Sequence, residues 1–276
     1  MKNTFIALCI LFFFTLPQAI HASEAPPIDF QVEAPHWEEV EKALPRKSIF
    51  TVIDIESGKS FVVQRRAGSH HADVQPLTVK DTTIMKDIYG GKWSWRRRAI
   101  LIMTPSRLIA GSMHGMPHGA GALPNNFPGH FCIHFTGSTT HSTERSDLAH
   151  QVMILKAAGR FDEFVSTLPP SELMNVFMVT IKNADKGLTR KIAVSNIKDL
   201  NKKLNEFKRL ENIQWEVLSH SKASETALSA AVPVKVNILS EENGASSTVI
   251  SFTIIRTSPI SPWKVDIDPL LEQLAG

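Results

Sequence analysis

The sequence predicts a β-rich domain with few helices, followed by an α+β domain. Three observations predict it. From residue 48 onward, short runs alternate apolar and polar positions, the period of half-buried strands. Inside that stretch one capping box, Thr78-Val79-Lys80-Asp81, opens a helix. Beyond residue 160, a segment with helical spacing precedes three strand-like runs, the order of an α+β unit.

Lys2, an apolar run over 5–16 broken by Pro17, and Ile20-His21-Ala22 before Ser23 have the layout of a secretory signal peptide over 1–22. The run is shorter than the roughly 20 apolar residues of a membrane-spanning helix, and no later segment approaches that length. The mature protein is therefore expected to be exported and soluble, in the cell wall or periplasm. Cys9 sits inside the apolar run, whereas a lipid-attachment cysteine would end it.

Residues 23–47 read as a linker, with Pro26-Pro27, Pro35 and a short helix over 37–44. Strands are expected over 49–55 and 60–64, joined by a Ser57-Gly58 turn. The capped helix runs through Ile84, Met85 and Ile88 and stops at Gly90-Gly91. Strands follow over 99–104 and 107–111, then a flexible glycine-rich loop over 112–121. A helix over 147–158 carries Leu148, Val152 and Leu155 on one face and ends at Gly159. These elements assign 48–160 to the first domain and 161–276 to the second. There, Ile197, Leu200, Leu204, Phe207 and Leu210 predict an amphipathic helix, ahead of strands over 215–218, 232–239 and 248–256. The closing Pro262-Trp263-Lys264-Val265-Asp266 resembles the last strand of the cone-shaped nuclear transport factor two-like fold.

A net charge of +3 gives no footing for nucleic acid. Arg65-Arg66 and Arg96-Arg97-Arg98 suit an anionic surface such as a cell-wall polymer, or else charge a strand edge against aggregation. There are 2 cysteines. Once Cys9 leaves with the leader, Cys132 has no partner for an intramolecular disulfide.

That thiol lies in Gly129-His130-Phe131-Cys132-Ile133-His134, and histidine crowds around it. Of the 11 histidines, 8 fall between His70 and His150. Isolated ones such as His36, His150 and His220 read as solvated or internally satisfied residues. An extended 129–135 would place His130, Cys132 and His134 on one side, open to a cleft, and Phe131, Ile133 and Phe135 on the packed side. An imidazole that takes the thiol proton yields a thiolate and imidazolium, a nucleophile for acyl chemistry. Backbone N–H groups around Cys132 are the expected oxyanion donors, and the loop would bring His114 or His118 over the thiol. The alternative for Cys132 is a small apolar filler.

With fourteen residues between His114 and Gly129, this segment resembles the L,D-transpeptidases of YkuD type, which remodel bacterial peptidoglycan. Their signature is a histidine, a similar gap, then Ser/Thr-His-Gly-Cys, an apolar residue and arginine. The resemblance covers about 48–159 and implies a YkuD-like β-sheet fold. It matches Cys132 to the nucleophile, His130 to the general base and His114 to the upstream pocket histidine. It places His118, His134, Gly129 and Phe131 at the substrate. Gly129 stands for the hydroxyl residue, Phe131 for the glycine and His134 for the arginine, departures that bear on substrate choice and the direction of acyl transfer. The implied activity is thioester-mediated L,D-transpeptidation or L,D-carboxypeptidation of peptidoglycan stem peptides, with no cofactor. Arg145 and Arg96 to Arg98 are candidates for holding stem carboxylates.

Two other classes compete. A zinc-dependent wall hydrolase would use His70, Asp73, His114, His118, His130 and Cys132, all ligand types zinc accepts, although Met116-Pro117 argues against a helical His114/His118 pair. A non-catalytic wall-binding module would stack Trp93 and Trp95 on sugars, unless both belong to the core or a strand edge.

Overall fold

Val32–Glu33 (β1) and Trp37–Ala43 (α1) lead into Ile49–Asp54 (β2) and Ser60–Ala67 (β3) in a computed structural model that describes residues 31–140, 146–219, 223–240 and 244–275. The expected signal peptide lies outside the described residues. Strands β2 and β3 bury every second residue, Phe50, Val52 and Asp54 on one and Phe61, Val63 and Arg65 on the other. This is the alternation read from the sequence, and the two strands pair antiparallel with Val52 opposite Phe61.

Ala72–Pro76 (β4), Val79–Ile88 (α2), Arg97–Met103 (β5), Leu108–His114 (β6) and Phe131–His134 (β7) complete the first layer. The strands run in the order β6-β5-β2-β3-β4-β7, and β7 pairs back onto β6, closing a six-stranded antiparallel barrel. β1 adds to β6 in parallel outside the ring. Closure leaves no open edge on the ring. The interior is filled by Phe50, Val52, Phe61, Val63, Val74, Ile100, Ile102, Ile109, Met113, Phe131 and Ile133. The capping box forms as read: the Thr78 side chain accepts from the Asp81 N–H, and the Asp81 carboxylate accepts from the Thr78 N–H.

The second half is richer in helix than the sequence suggested. Leu148–Ala157 (α3) is capped by Asp147, whose side chain accepts from the N–H groups of Ala149 and His150, and is closed by Gly159 at φ +70°. Phe161–Ser166 (α4), Pro170–Lys182 (α5) and Lys186–Ile192 (α6) follow. In α5 the run Val176 to Ile181 is buried on every side, so no polar face marked it as a helix.

The helix expected through Ile197 and Leu210 is a correction. Asp199, at φ +61°, precedes a four-residue helix, Leu200–Lys203 (α7); a 3-10 turn spans Glu206–Arg209, and Leu210 already opens a strand. Ala193–Val194 (β8), Leu210–Val217 (β9), Ser229–Ser240 (β10), Gly244–Ile255 (β11) and Lys264–Asp266 (β12) form a sheet in the order β8-β12-β11-β10-β9, followed by Asp268–Ala275 (α8). One apolar core runs from Ala99 and Ala110 on the barrel's outer face, through Val152 and Met153 of α3 and Phe177 of α5, to Val234 and Phe252 of this sheet. Among the described residues, no helix is long and apolar enough to cross a membrane.

Candidate active site

Alternation in β7 decides which residues meet. Phe131 and Ile133 point into the barrel, so Cys132 and His134 point out of it. The neighbouring strands follow the same rule: Asp73 of β4 pairs with Cys132, and Ser112 of β6 pairs with His134. The outer face of β4, β7 and β6 thereby gathers His71, Asp73, Cys132, His134, Ser112 and His114, all of them buried. Phe131, expected at the substrate, instead packs against Phe61 and Phe127 inside the barrel.

This face is covered, whereas the sequence reading opened it to a cleft. Cys132 is only 3% exposed. Of the expected 112–121 loop, residues Ser112 to His114 belong to β6, so His114 is fixed in a strand. The cover is the segment between β6 and β7. His118 and His130 exchange backbone hydrogen bonds of 2.9 Å in both directions, forming a small antiparallel bridge. Gly119 crosses over the His130 ring, where a Cβ would lie 2.4 Å from Cε1. Gly129, at φ +128°, lies against the His118 carbonyl, where a Cβ would come within 2.4 Å of that oxygen. Buried Gln75 ties the cover down, donating to the Gly129 carbonyl at 2.7 Å and accepting from the Ala122 N–H at 2.9 Å.

His118 meets the thiol, with Nε2 3.3 Å from Cys132 Sγ. Its Nδ1 lies 3.2 Å from the Met116 carbonyl. A carbonyl only accepts, so this contact puts the proton on Nδ1 and the lone pair of Nε2 toward the sulfur. His130 is turned differently: Nδ1 lies 3.0 Å from the Ala120 carbonyl and Nε2 3.8 Å from Asp73 Oδ1. His114 accepts from the Met116 N–H at 3.3 Å. Burial, then the charge of Arg97 and the neighbouring histidines, hold His114 well below the usual histidine range and leave it neutral.

Asp73 is the acidic centre of the cluster. Its Oδ1 lies 3.6 Å from Cys132 Sγ and 3.2 Å from His71 Nε2, and His71 Nδ1 faces the Thr139 carbonyl at 2.8 Å. Burial, reinforced by Asp73, pushes the Cys132 thiol far above its ordinary value, with Arg97 opposing. Both effects favour the protonated thiol over the thiolate and imidazolium expected from the neighbouring histidines. The expected oxyanion donors belong to β7, which pairs with β4 through Phe131, Cys132 and Ile133 and with β6 through Ile133 and His134.

His134 is sandwiched between His71 and His150, with ring centroids 4.7 and 3.8 Å away. His150, from α3, bonds through Nδ1 to the Ser112 hydroxyl at 2.9 Å. Burial, then His134 and Arg97, lower its affinity for a proton. His150 is satisfied, as read, yet it is also part of the cluster.

Trp95 packs at a tilt against His114 and His118, with ring centroids 4.7 and 5.6 Å away, and lines a cleft of about 750 Å³ together with Arg97, Met116 and Lys182. Trp93 packs edge-on against Phe127. Two of the three consecutive arginines serve the fold: Arg96 donates to the carbonyls of Phe207, Lys208 and Leu210, and Arg98 forks onto Asp54. Arg97 pairs with Asp147 at 2.8 Å. Arg145 and His141 lie outside the described residues, and His70 is exposed.

Sequence reasoning named Asp73 only as a metal ligand and missed His71. The signal for both is the β4–β7 pairing, which a local reading does not contain. The chain matches no protein-family model and no curated protein.

Proposed function

We propose that the chain is an exported cysteine acyltransferase acting on peptidoglycan stem peptides, as an L,D-transpeptidase or L,D-carboxypeptidase. The observation that carries this reading is the line of three groups formed by Cys132 Sγ, the His118 ring and the Met116 carbonyl, spaced at 3.3 and 3.2 Å. A nucleophile, a base and a group that orients the base are the parts acyl transfer needs. The resemblance around His114 and Gly129 to His134 supplies the substrate class, and the N-terminal leader supplies export.

In this mechanism the Cys132 proton moves to His118 Nε2 as sulfur attacks the carbonyl between the diamino acid and the terminal D-residue. A C–S bond forms and the C–N bond breaks. The leaving D-alanine amine takes the proton from His118, and a thioester remains on Cys132. The amine of a second stem, or water, then attacks the thioester; His118 accepts the proton of that nucleophile, and the thiol is restored. Because the resting group is protonated, proton transfer accompanies attack. Substrate entry requires the segment around Gly119 to swing off the thiol. Trp95, Arg97 and Lys182 line the adjoining cleft, which suits a substrate bearing carboxylates.

The test is incubation with disaccharide-tetrapeptide fragments, followed by mass analysis of products and protein. An acyl adduct on Cys132 that is lost in Cys132→Ser is the expected result. Equal conversion by wild type and Cys132→Ala would overturn the proposal.

A further inference from the structure

The cleft beside the thiol cluster, of about 750 Å³, lies between the barrel and the second sheet, and the chain itself ties its two walls together. Arg96 donates to the carbonyls of Phe207, Lys208 and Leu210, and the Arg97 N–H donates to Asn183 Oδ1 at 2.7 Å. The cleft is therefore preformed.

Its charge is one-sided. Lys92, Arg96, Arg97, Lys182, Lys208 and Arg209 line it against one carboxylate, Glu211. Six cations in one cleft exceed the net charge of +3 on the whole chain, so the positive field is concentrated here. Arg96 serves the wall, and Arg97 pairs with Asp147 at 2.8 Å. Lys182 is half-buried, with its ammonium 5.9 Å from the Trp215 ring centroid. Burial and the charge of Arg97 weaken its hold on its proton, with Asp147 opposing, so an added anion would relieve the crowding. Lys208 stands exposed on the 3-10 turn.

An indole completes the surface. Trp95 is half-exposed, whereas Trp93 is packed edge-on against Phe127 with the Lys86 ammonium over its ring. An exposed indole among ammonium and guanidinium groups fits a sugar ring that carries an anion: the apolar face of the ring lies on the indole, and the phosphate or carboxylate meets the cations. Trp95 also abuts His118, whose Nε2 is 3.3 Å from Cys132 Sγ. A ligand seated on Trp95 is thus one imidazole away from the thiol.

We propose that this cleft is a docking site for an anionic wall saccharide, which stacks a sugar on Trp95 and sets its phosphate or carboxylate groups on Lys182 and Lys208. No bond is made or broken there; the docked polymer is held within reach of Cys132. The choice of a wall saccharide rests on the proposed export and substrate, whereas the surface of cations and indole does not.

The experiment titrates two probes into full-length mature protein by calorimetry: poly(ribitol phosphate) substituted with N-acetylglucosamine, and disaccharide-tetrapeptide fragments with free or amidated carboxyls. Binding of at least one probe is expected, weakening as salt rises. Lys182→Gln combined with Lys208→Gln should weaken it about tenfold. Binding should also quench tryptophan emission, and Trp95→Phe should remove that quench. Binding of the phosphate polymer assigns the anion to phosphodiesters; binding of the fragments that is lost on amidation assigns it to carboxylates. Failure of both probes to bind, or binding untouched by the two lysine substitutions, overturns the site. A single-stranded oligonucleotide of matched charge that binds more tightly than either probe overturns the saccharide assignment. If a probe binds at these residues while the wild type converts no tetrapeptide fragment, the cleft stands and the acyl-transfer reading fails. Conversion without binding at these residues has the opposite meaning.

Discussion

Asp73 places a carboxylate oxygen 3.6 Å from the sulfur of Cys132, although 59 residues separate them in the chain. The barrel makes this contact by pairing the two residues across β4 and β7. A negative charge beside a buried thiol opposes ionisation, in the same direction as burial itself. Asp73→Asn is therefore expected to make the thiolate easier to form. Alkylation of the protein, followed against pH, should move to lower pH, with the rate at neutral pH rising about tenfold, the equivalent of about 1.4 kcal/mol. An unchanged profile would mean that burial alone sets the thiol.

The two ring orientations at His118 and His130 rank their importance for chemistry. Nε2 of His118 reaches sulfur at 3.3 Å, whereas Nε2 of His130 faces Asp73. His118→Gln is expected to slow acylation of Cys132 by roughly 10²–10⁴, the usual contribution of a positioned base. His130→Gln should cost less, because its Nδ1 faces the Ala120 carbonyl at 3.0 Å and its Nε2 lies 3.8 Å from Asp73. Single-turnover formation of the protein adduct measures both. The reverse ranking would move the base to His130, where the motif resemblance places it.

Local pattern carried the strands, the capped helices and the side-by-side placement of His130, Cys132 and His134. It failed where distant pairing decides. The run Ala72 to Pro76, with Asp73, Gln75 and Pro76, carries no strand assignment from its local pattern, yet closure of the barrel makes it a strand buried along its whole length. Asp73 and His71 arrive beside the thiol only through that closure. The sequence likewise offered His114 and His118 as equivalent candidates. What separates them is the Met116 backbone, which donates its N–H to His114 and offers its carbonyl to His118. In α5, burial of the whole run from Val176 to Ile181 removed the polar face that would have identified a helix there.

Gln75 holds the cover shut from below. Its amide bonds to the Gly129 carbonyl and the Ala122 N–H, and the side chain is 1% exposed. Gln75→Leu keeps the volume and leaves both backbone groups without this partner, at a cost of about 1–3 kcal/mol for each group that stays buried. The expected outcome is a lower midpoint in denaturant together with faster labelling of Cys132 under native conditions. A variant that is destabilised without faster labelling would show that the cover opens elsewhere.

Asp54 offers a pH test of the barrel that is independent of the thiol. The residue is fully buried at the end of β2 and accepts from Arg98 Nε and Nη2 at 2.6 and 2.7 Å and from the Ser57 N–H and hydroxyl at 2.8 and 2.6 Å. Burial alone would raise its pKa; the hydrogen bonds and charge of Arg98, with the two bonds from Ser57, outweigh burial and hold it below 3.8. A depressed native pKa means that the unfolded chain binds the proton first as pH falls. The stabilisation is therefore complete above the unfolded carboxyl range near pH 4, and shrinks as pH drops through that range toward the lower native value. Asp54→Asn leaves the Arg98 guanidinium without its buried partner and should cost about 3 kcal/mol at neutral pH. Urea unfolding of both proteins should show this gap constant from about pH 7 to pH 5 and closing below about pH 4. A gap that persists undiminished at pH 3 would place the role of Asp54 in packing and neutral hydrogen bonding and not in its charge.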